Sequence, residues 1–291
     1  MGAKRLIGAI AVAGTVWLAG PAAQSQTRVV RDITYATVGE RALQLDLHMP
    51  EGVSNPPLLV WVHGGAWRQG SRTGLRMEFV RNGFATASVG YRLSTEARFP
   101  AMIHDIKAAV RFLRARAADY GYRADRIAIS GDSAGAHLAV LVGVSNDVPE
   151  LEGTLGAYRD RSSDIQSVVA YYPATNLMSI LRQSTPFGLN VRVPALQLLL
   201  GDQPDRVAEL ARLASATTHV GASDPPLLIF HGDQDPQMPI NQSHELHGLY
   251  TSLKLDGEMV VVHGGVHGGD VFYSGVNLDR ALAFLRRTIG G

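Results

Sequence analysis

The pattern of apolar residues predicts a single doubly wound α/β domain. Three observations point there. Short apolar runs recur along the chain, helical patterns separate several of them, and neither an internal repeat nor an interdomain linker interrupts the rhythm. The runs are "LLVWV" (58–62), "FATASVG" (84–90), "RIAIS" (126–130), "SVVAYY" (167–172), "PLLIF" (226–230) and "EMVVV" (258–262). Short continuous apolar runs suit parallel strands buried on both faces.

The segments before them read differently. "RDITYAT" (31–37) and "ALQLDLH" (42–48) alternate apolar with polar residues and place Leu43, Leu45 and Leu47 on one face. That period of two predicts half-exposed antiparallel strands at a sheet edge. Between the later strands, Ile103, Ile106, Val110 and Leu113 keep the i, i+3, i+7 spacing of an amphipathic helix. "AGAHLAVLVGVS" (134–145) predicts a largely buried helix, and "NLDRALAFLRRTI" a closing one. The stretch 174–222 departs from the alternation and predicts a helical excursion, the natural place for a small lid.

Composition excludes some functions. Of 291 residues, 46% are hydrophobic and 18% charged, with 27 Lys and Arg against 26 Asp and Glu, so no basic footprint for nucleic acid is present. Residues 1–25 predict a cleavable export signal. "MGAKR" is a positive leader, "LIGAIAVAGTVWLAG" (6–20) an apolar stretch, and "AQS" puts small residues ahead of cleavage before Gln26. The mature domain would then be 26–291, secreted or periplasmic, with no stable membrane anchor. Its formal charge would fall from +1 to −1 through loss of Lys4 and Arg5. With no cysteine there is no disulfide and no lipoprotein attachment site, so the core alone must supply stability.

The chemistry-bearing motif is Gly131-Asp132-Ser133-Ala134-Gly135, a G-x-S-x-G. Three fixed positions recur by chance in roughly one chain of this length in ten, so the pattern alone is weak. Its context decides: it follows the strand "RIAIS" and opens an apolar helix, the strand–turn–helix of a nucleophile elbow. A serine so placed faces a helix N-terminus, where the dipole favours developing negative charge. The alternative is a serine that merely caps the helix. A nucleophilic serine needs a base, and the base needs an orienting acid. Asp233 and Asp235 follow one predicted strand, and His263 and His267 follow the next. Open α/β sheets collect active residues at the carboxyl ends of their strands. Position favours Asp235, ahead of a proline-containing loop, and His267, between glycines, without excluding the other two.

"HGGAW" (63–67), "GDSAGAHLA", "HGDQD" and "GGVHGG", in this order, resemble the α/β-hydrolase esterases with an HGGGW-type motif, including the hormone-sensitive-lipase-like carboxylesterases. The likeness is stronger to a bacterial esterase/lipase branch with feruloyl and acetylxylan esterases, and it extends over nearly all of 30–290. The resemblance implies an α/β-hydrolase fold with a mostly parallel sheet, helices on both faces and a small helical lid. It also implies a serine hydrolase of carboxylic esters, of short-chain acyl or acetyl/feruloyl type, that needs no metal or organic cofactor. It assigns Ser133, Asp235 and His267 as the triad, and the N–H groups of Gly65, Ala66 and Ala134 as an oxyanion hole. Ala66 departs from the pattern, which usually has glycine there. Its N–H is expected to serve with φ negative, and its methyl group to narrow the approach to the acyl carbon. Other acyl bonds, as in arylformamidases or peptidases, suit the same triad, and a non-catalytic binding protein on a hydrolase scaffold is the rival of another class.

Several other residues invite blander readings. Asp132 is expected to orient the "HGGAW" turn, His63 to fix its loop by hydrogen bonding, and Trp67 to pack near the mouth of the site. The charges of "WRQGSR" (67–72) are expected in solvent. His244 and His247 lack a third metal ligand and predict a solvated helix face.

Overall fold

The structure is a computed structural model that describes residues 1–2 and 27–290. Apart from its first two residues, the predicted signal segment lies outside the described residues. Eight strands form one sheet: β1 (Arg28–Val38), β2 (Arg41–Met49), β3 (Leu58–Val62), β4 (Ala85–Val89), β5 (Ile127–Asp132), β6 (Ser167–Tyr171), β7 (Leu227–Gly232) and β8 (Gly257–Val262). Their order is β1-β2-β4-β3-β5-β6-β7-β8. β2 runs antiparallel to both neighbours, and the pairs from β4 through β8 are parallel.

Alternation along each strand divides the interior into two cores. Leu58, Val60 and Val62 of β3 face one, and Leu59 and Trp61 the other. Leu43, Leu45 and Leu47 share the first face, as their period of two requires. That face is covered by the helices Ala101–Ala115, Ala134–Val144, Pro186–Leu200 and Asn241–Ser252. The short helix Met77–Arg81 and the closing helix Gly275–Ile289 cover the second. Helices on both faces of a mostly parallel sheet make an α/β-hydrolase fold.

Three elements differ from their sequence reading. The strand read at the sheet edge over 42–48 is an inner one: β2 lies between β1 and β4, and Asp46 and His48 on its polar side are buried because β1 takes the edge. "EMVVV" is a parallel strand, but β8 forms the sheet edge and most of it is only half-buried. A continuous apolar run does not distinguish an inner strand from an edge strand beneath a helix. The helix Ala101–Ala115 buries its polar side too. Asp105 lies against Arg92, and Lys107 and Arg111 meet Glu152, so pairing satisfies charges that the amphipathic pattern assigns to solvent. The excursion between β6 and β7 is helical, with Ile180–Gln183, Pro186–Leu200 and Ala208–Leu213. Among the described residues, no helix is long and apolar enough to cross a membrane.

Candidate active site

Three strand ends build the site. β5 stops at Asp132, and the chain turns at Ser133 directly into the helix Ala134–Val144. Ser133 holds φ 52° and ψ −117°, a strained conformation for a residue with a Cβ, of the kind that clusters where function needs it. The turn leaves no room for side chains on its flanks: a Cβ on Gly135 would stand 2.1 Å from the Val62 carbonyl oxygen. Ser133 occupies the N-cap position, yet its hydroxyl makes no capping bond. It points instead to His267, with Oγ 2.9 Å from Nε2.

The next two strand ends supply the rest of the chain of bonds. Asp235 follows β7 and His267 follows β8, and the two loops cross closely enough that a Cβ on Gly232 would meet the Gly265 carbonyl oxygen at 2.1 Å. His267 Nδ1–H donates to Asp235 Oδ2 at 2.7 Å, which leaves Nε2 free to accept the Ser133 proton. The other carboxylate oxygen, Oδ1, accepts the N–H groups of Gln237 and Met238 at 2.8 and 2.9 Å. His231 stands 3.6 Å from the carboxylate. Burial by itself would raise the pKa of Asp235, but the donors around it outweigh burial and hold the carboxyl well below its usual range. His231 is fixed in turn: its Nε2–H donates to the Met238 carbonyl, and Nδ1 accepts from Ser243.

Asp233 and His263 also meet, but away from the serine. His263 Nδ1–H donates to Asp233 Oδ2 at 2.9 Å, and the Gly264 N–H donates to Oδ1 at 2.8 Å. Their exposed surroundings make this a surface pair that closes the loop.

The "HGGAW" turn lies against the serine turn. Asp132 Oδ1 accepts the Gly64 N–H at 2.7 Å, so Asp132 orients the turn as expected, and burial pushes its carboxyl pKa up. His63 donates from Nδ1 to the Gly64 carbonyl and stacks on Tyr91 with ring centroids 4.4 Å apart. It is a fixed loop residue, as read from sequence. Burial lowers its pKa and favours the neutral ring.

Three expectations need correction. Ala66 has φ +51°, not a negative value, and Trp67 follows at +59°. The turn tolerates this strain because it is anchored on both sides. The Gly65 carbonyl accepts from the N–H groups of Arg68 and Gln69, both at 3.1 Å, and Trp67 is locked in the core. Trp67 is therefore fully buried rather than near the site mouth; its Nε1–H donates to His137 Nδ1 at 3.0 Å. His137 must then donate from Nε2 to the Ala214 carbonyl, 2.7 Å away, and burial lowers its pKa to about 4. Finally, the charges of 67–72 are not simply solvated: Arg72 pairs with Asp32 and Asp46, and Arg68 lines the cavity at Ser133.

Gly65, Ala66, Ser133 and His267 line one cavity of about 410 Å³. Among the described residues, the Gly65 and Ala66 N–H groups donate to no protein acceptor. The Ala134 N–H, at the first position of its helix, has no acceptor within that helix. The cavity wall includes residues that the sequence reading missed. Tyr172 has φ 43°, sits at the end of β6 with its ring 4.7 Å from that of His267, and shares a hydroxyl contact with Tyr273. Its place at a strand end was the available signal. Arg76 and Arg192 also line the wall and gave no signal, since neither stands in a motif. His244 is exposed and His247 half-buried on the helix Asn241–Ser252, and the described residues contain no cluster fit to hold a metal.

A serine at a strained strand–helix turn, joined through histidine to a buried aspartate, defines the serine-hydrolase class of α/β-hydrolases. The chain belongs to the BD-FAE family, which matches residues 45–250. It is 29% identical to the probable carboxylic ester hydrolase LipM of Mycobacterium tuberculosis over 80% of this chain and 53% of LipM. It is 32% identical to the esterase LipQ of the same organism over 64% of this chain and 44% of LipQ. The chain thus spans about half the length of the curated relatives it matches. A truncated carbohydrate esterase from gut microbiota superposes with a TM-score of 0.82 at 27% identity, covering 94% of this chain and 100% of that one.

Proposed function

We propose that the protein hydrolyses carboxylic esters through an acyl-enzyme on Ser133. The observation that carries this reading is the unbroken hydrogen-bonded chain Ser133–His267–Asp235, opening on a cavity beside unpartnered backbone N–H groups. Ser133 Oγ attacks the ester carbonyl while His267 Nε2 takes its proton. Asp235 orients the ring and stabilises the imidazolium. The N–H groups of Gly65, Ala66 and Ala134 receive the developing oxyanion, each donor being worth about 3–4 kcal/mol of barrier. His267 then protonates the departing alcohol oxygen as the carbon–oxygen bond breaks. Water, losing its proton to His267, attacks the acyl carbon; the acyl–Ser133 bond breaks as His267 returns that proton to Ser133 Oγ, and the acid is released.

The acyl group we assign is short-chain, or of acetyl or feruloyl type, and polysaccharide-linked esters are natural candidates. A cavity of about 410 Å³ and the likeness to a carbohydrate esterase support this. The helices of 174–222 serve as the lid over the site, and residues 1–25 direct export of the mature chain. No metal or organic cofactor enters any step. Ser133→Ala should abolish release of p-nitrophenol from the acetate and butyrate esters while its circular dichroism and melting remain those of the wild type. Undiminished turnover in that variant would overturn the assignment.

A further inference from the structure

Three guanidinium groups, from Arg68, Arg76 and Arg192, line the cavity that holds Ser133. Among the described residues none of the three forms an ion pair, whereas Arg72, Arg92, Arg111 and Arg287 each lie against a carboxylate. Arg192 is the most unusual. It reaches in from the inserted helix Pro186–Leu200 and is 1% exposed, with its guanidinium 5.9 Å from the Trp67 ring. Among the described residues, its one side-chain hydrogen bond is a long contact, 3.5 Å from Nε to the Gln237 carbonyl, and Nη1 is buried without a partner. Burying a cation unpaired is costly, and a fold keeps one where something else pairs it. Desolvation lowers its pKa to about 10, and the charge of Arg68 pushes the same way.

Arg76 repeats the theme. Its guanidinium lies 3.8 Å from the Tyr273 ring centroid, and its Nε is buried without a partner. Among the described residues, the only carboxylate in the cavity wall is Asp132, already engaged by the Gly64 N–H. Asp235 attracts Arg192 only from a distance, while serving His267.

Resting on the ester-hydrolysis reading, we propose that the preferred substrate is an ester bearing a free carboxylate, which Arg68, Arg76 and Arg192 bind beside Ser133. A planar guanidinium matches a carboxylate with two parallel hydrogen bonds. Asp132 and Asp235 oppose a second negative charge, which favours a singly charged carboxylate over a phosphate dianion. Half-esters of dicarboxylic acids and acetylated acidic sugars have this chemistry.

The test uses two matched pairs of esters. Mono-p-nitrophenyl adipate against its methyl ester puts the charge on the acyl side. 4-Acetoxybenzoate against methyl 4-acetoxybenzoate puts it on the alcohol side. Each rate is divided by the hydroxide-catalysed rate of the same ester. In at least one pair kcat/KM for the charged member should exceed the neutral one about tenfold, as charge-assisted hydrogen bonds warrant, and the ratio should shrink as salt rises. Arg68→Gln and Arg192→Met should each bring that ratio toward one. Arg68 is only half-buried, so its variant decides the matter even if the Arg192 variant fails to fold. A ratio at or below one in both pairs, with neutral esters cleaved by the wild type and not by Ser133→Ala, overturns this inference and leaves the esterase reading standing. A preference unchanged in both arginine variants also overturns it. If no ester of either pair is cleaved, both readings fall.

Discussion

Two aspartate–histidine pairs bridge the same two loops, and only one of them reaches a serine. Asp235 and His267 are 0% and 12% exposed, whereas Asp233 and His263 are 30% and 86% exposed. Their bond lengths hardly differ, 2.7 against 2.9 Å. Environment separates them. Solvent screens the outer pair, and surface ion pairs contribute little. The inner carboxylate is desolvated, held by two backbone N–H groups, and aimed through an imidazole at Ser133. A short hydrogen bond between two residue types is therefore no mark of function; burial and a continuing partner are.

The largest way to break this contrast is Asp235→Asn. The amide imposes the wrong hydrogen-bonding partner on Nδ1, and kcat should fall about 10⁴-fold on p-nitrophenyl acetate. A loss below about tenfold would mean that the inner pair is no more than structural. A second comparison sharpens the pair by acid titration. The folded-state pKa of Asp235 is depressed, so the stability it contributes is full above its unfolded value of about 3.9 and is lost as pH falls toward the folded one. In urea unfolding, the stability gap between wild type and Asp235→Asn should therefore narrow below about pH 4. A gap constant from about pH 7 to about pH 3 would contradict the assigned environment. The smallest effect belongs to the outer pair. Asp233→Asn and His263→Gln should each leave turnover within about twofold and the melting temperature essentially unchanged, as read from kinetics and melting. A large loss in either would erase the distinction.

Much of this was legible in advance. Leu43, Leu45 and Leu47 announced a strand with one face in the core by their period, and "RIAIS" before "GDSAG" announced the elbow, because both signals lie within a few residues of chain. The edge position of β8 and the burial of Asp105, Lys107 and Arg111 were not legible, since they depend on which elements cover one another. The expected negative φ of Ala66 failed for a related reason. Its strained turn is held by Trp67, whose anchor His137 lies 70 residues on.

By itself, then, the sequence determined the alternation of strands and helices, the elbow at Ser133 and the chain order of serine, acid and base. Those follow from local periodicity and from which residues end each strand. Only the tertiary structure decided that His267, 134 residues from Ser133, completes the chain while His263 faces solvent. It also decided that Arg192 stands buried and unpaired beside the nucleophile. Pairing and desolvation depend on distances through space between segments remote in sequence, and no local pattern encodes them.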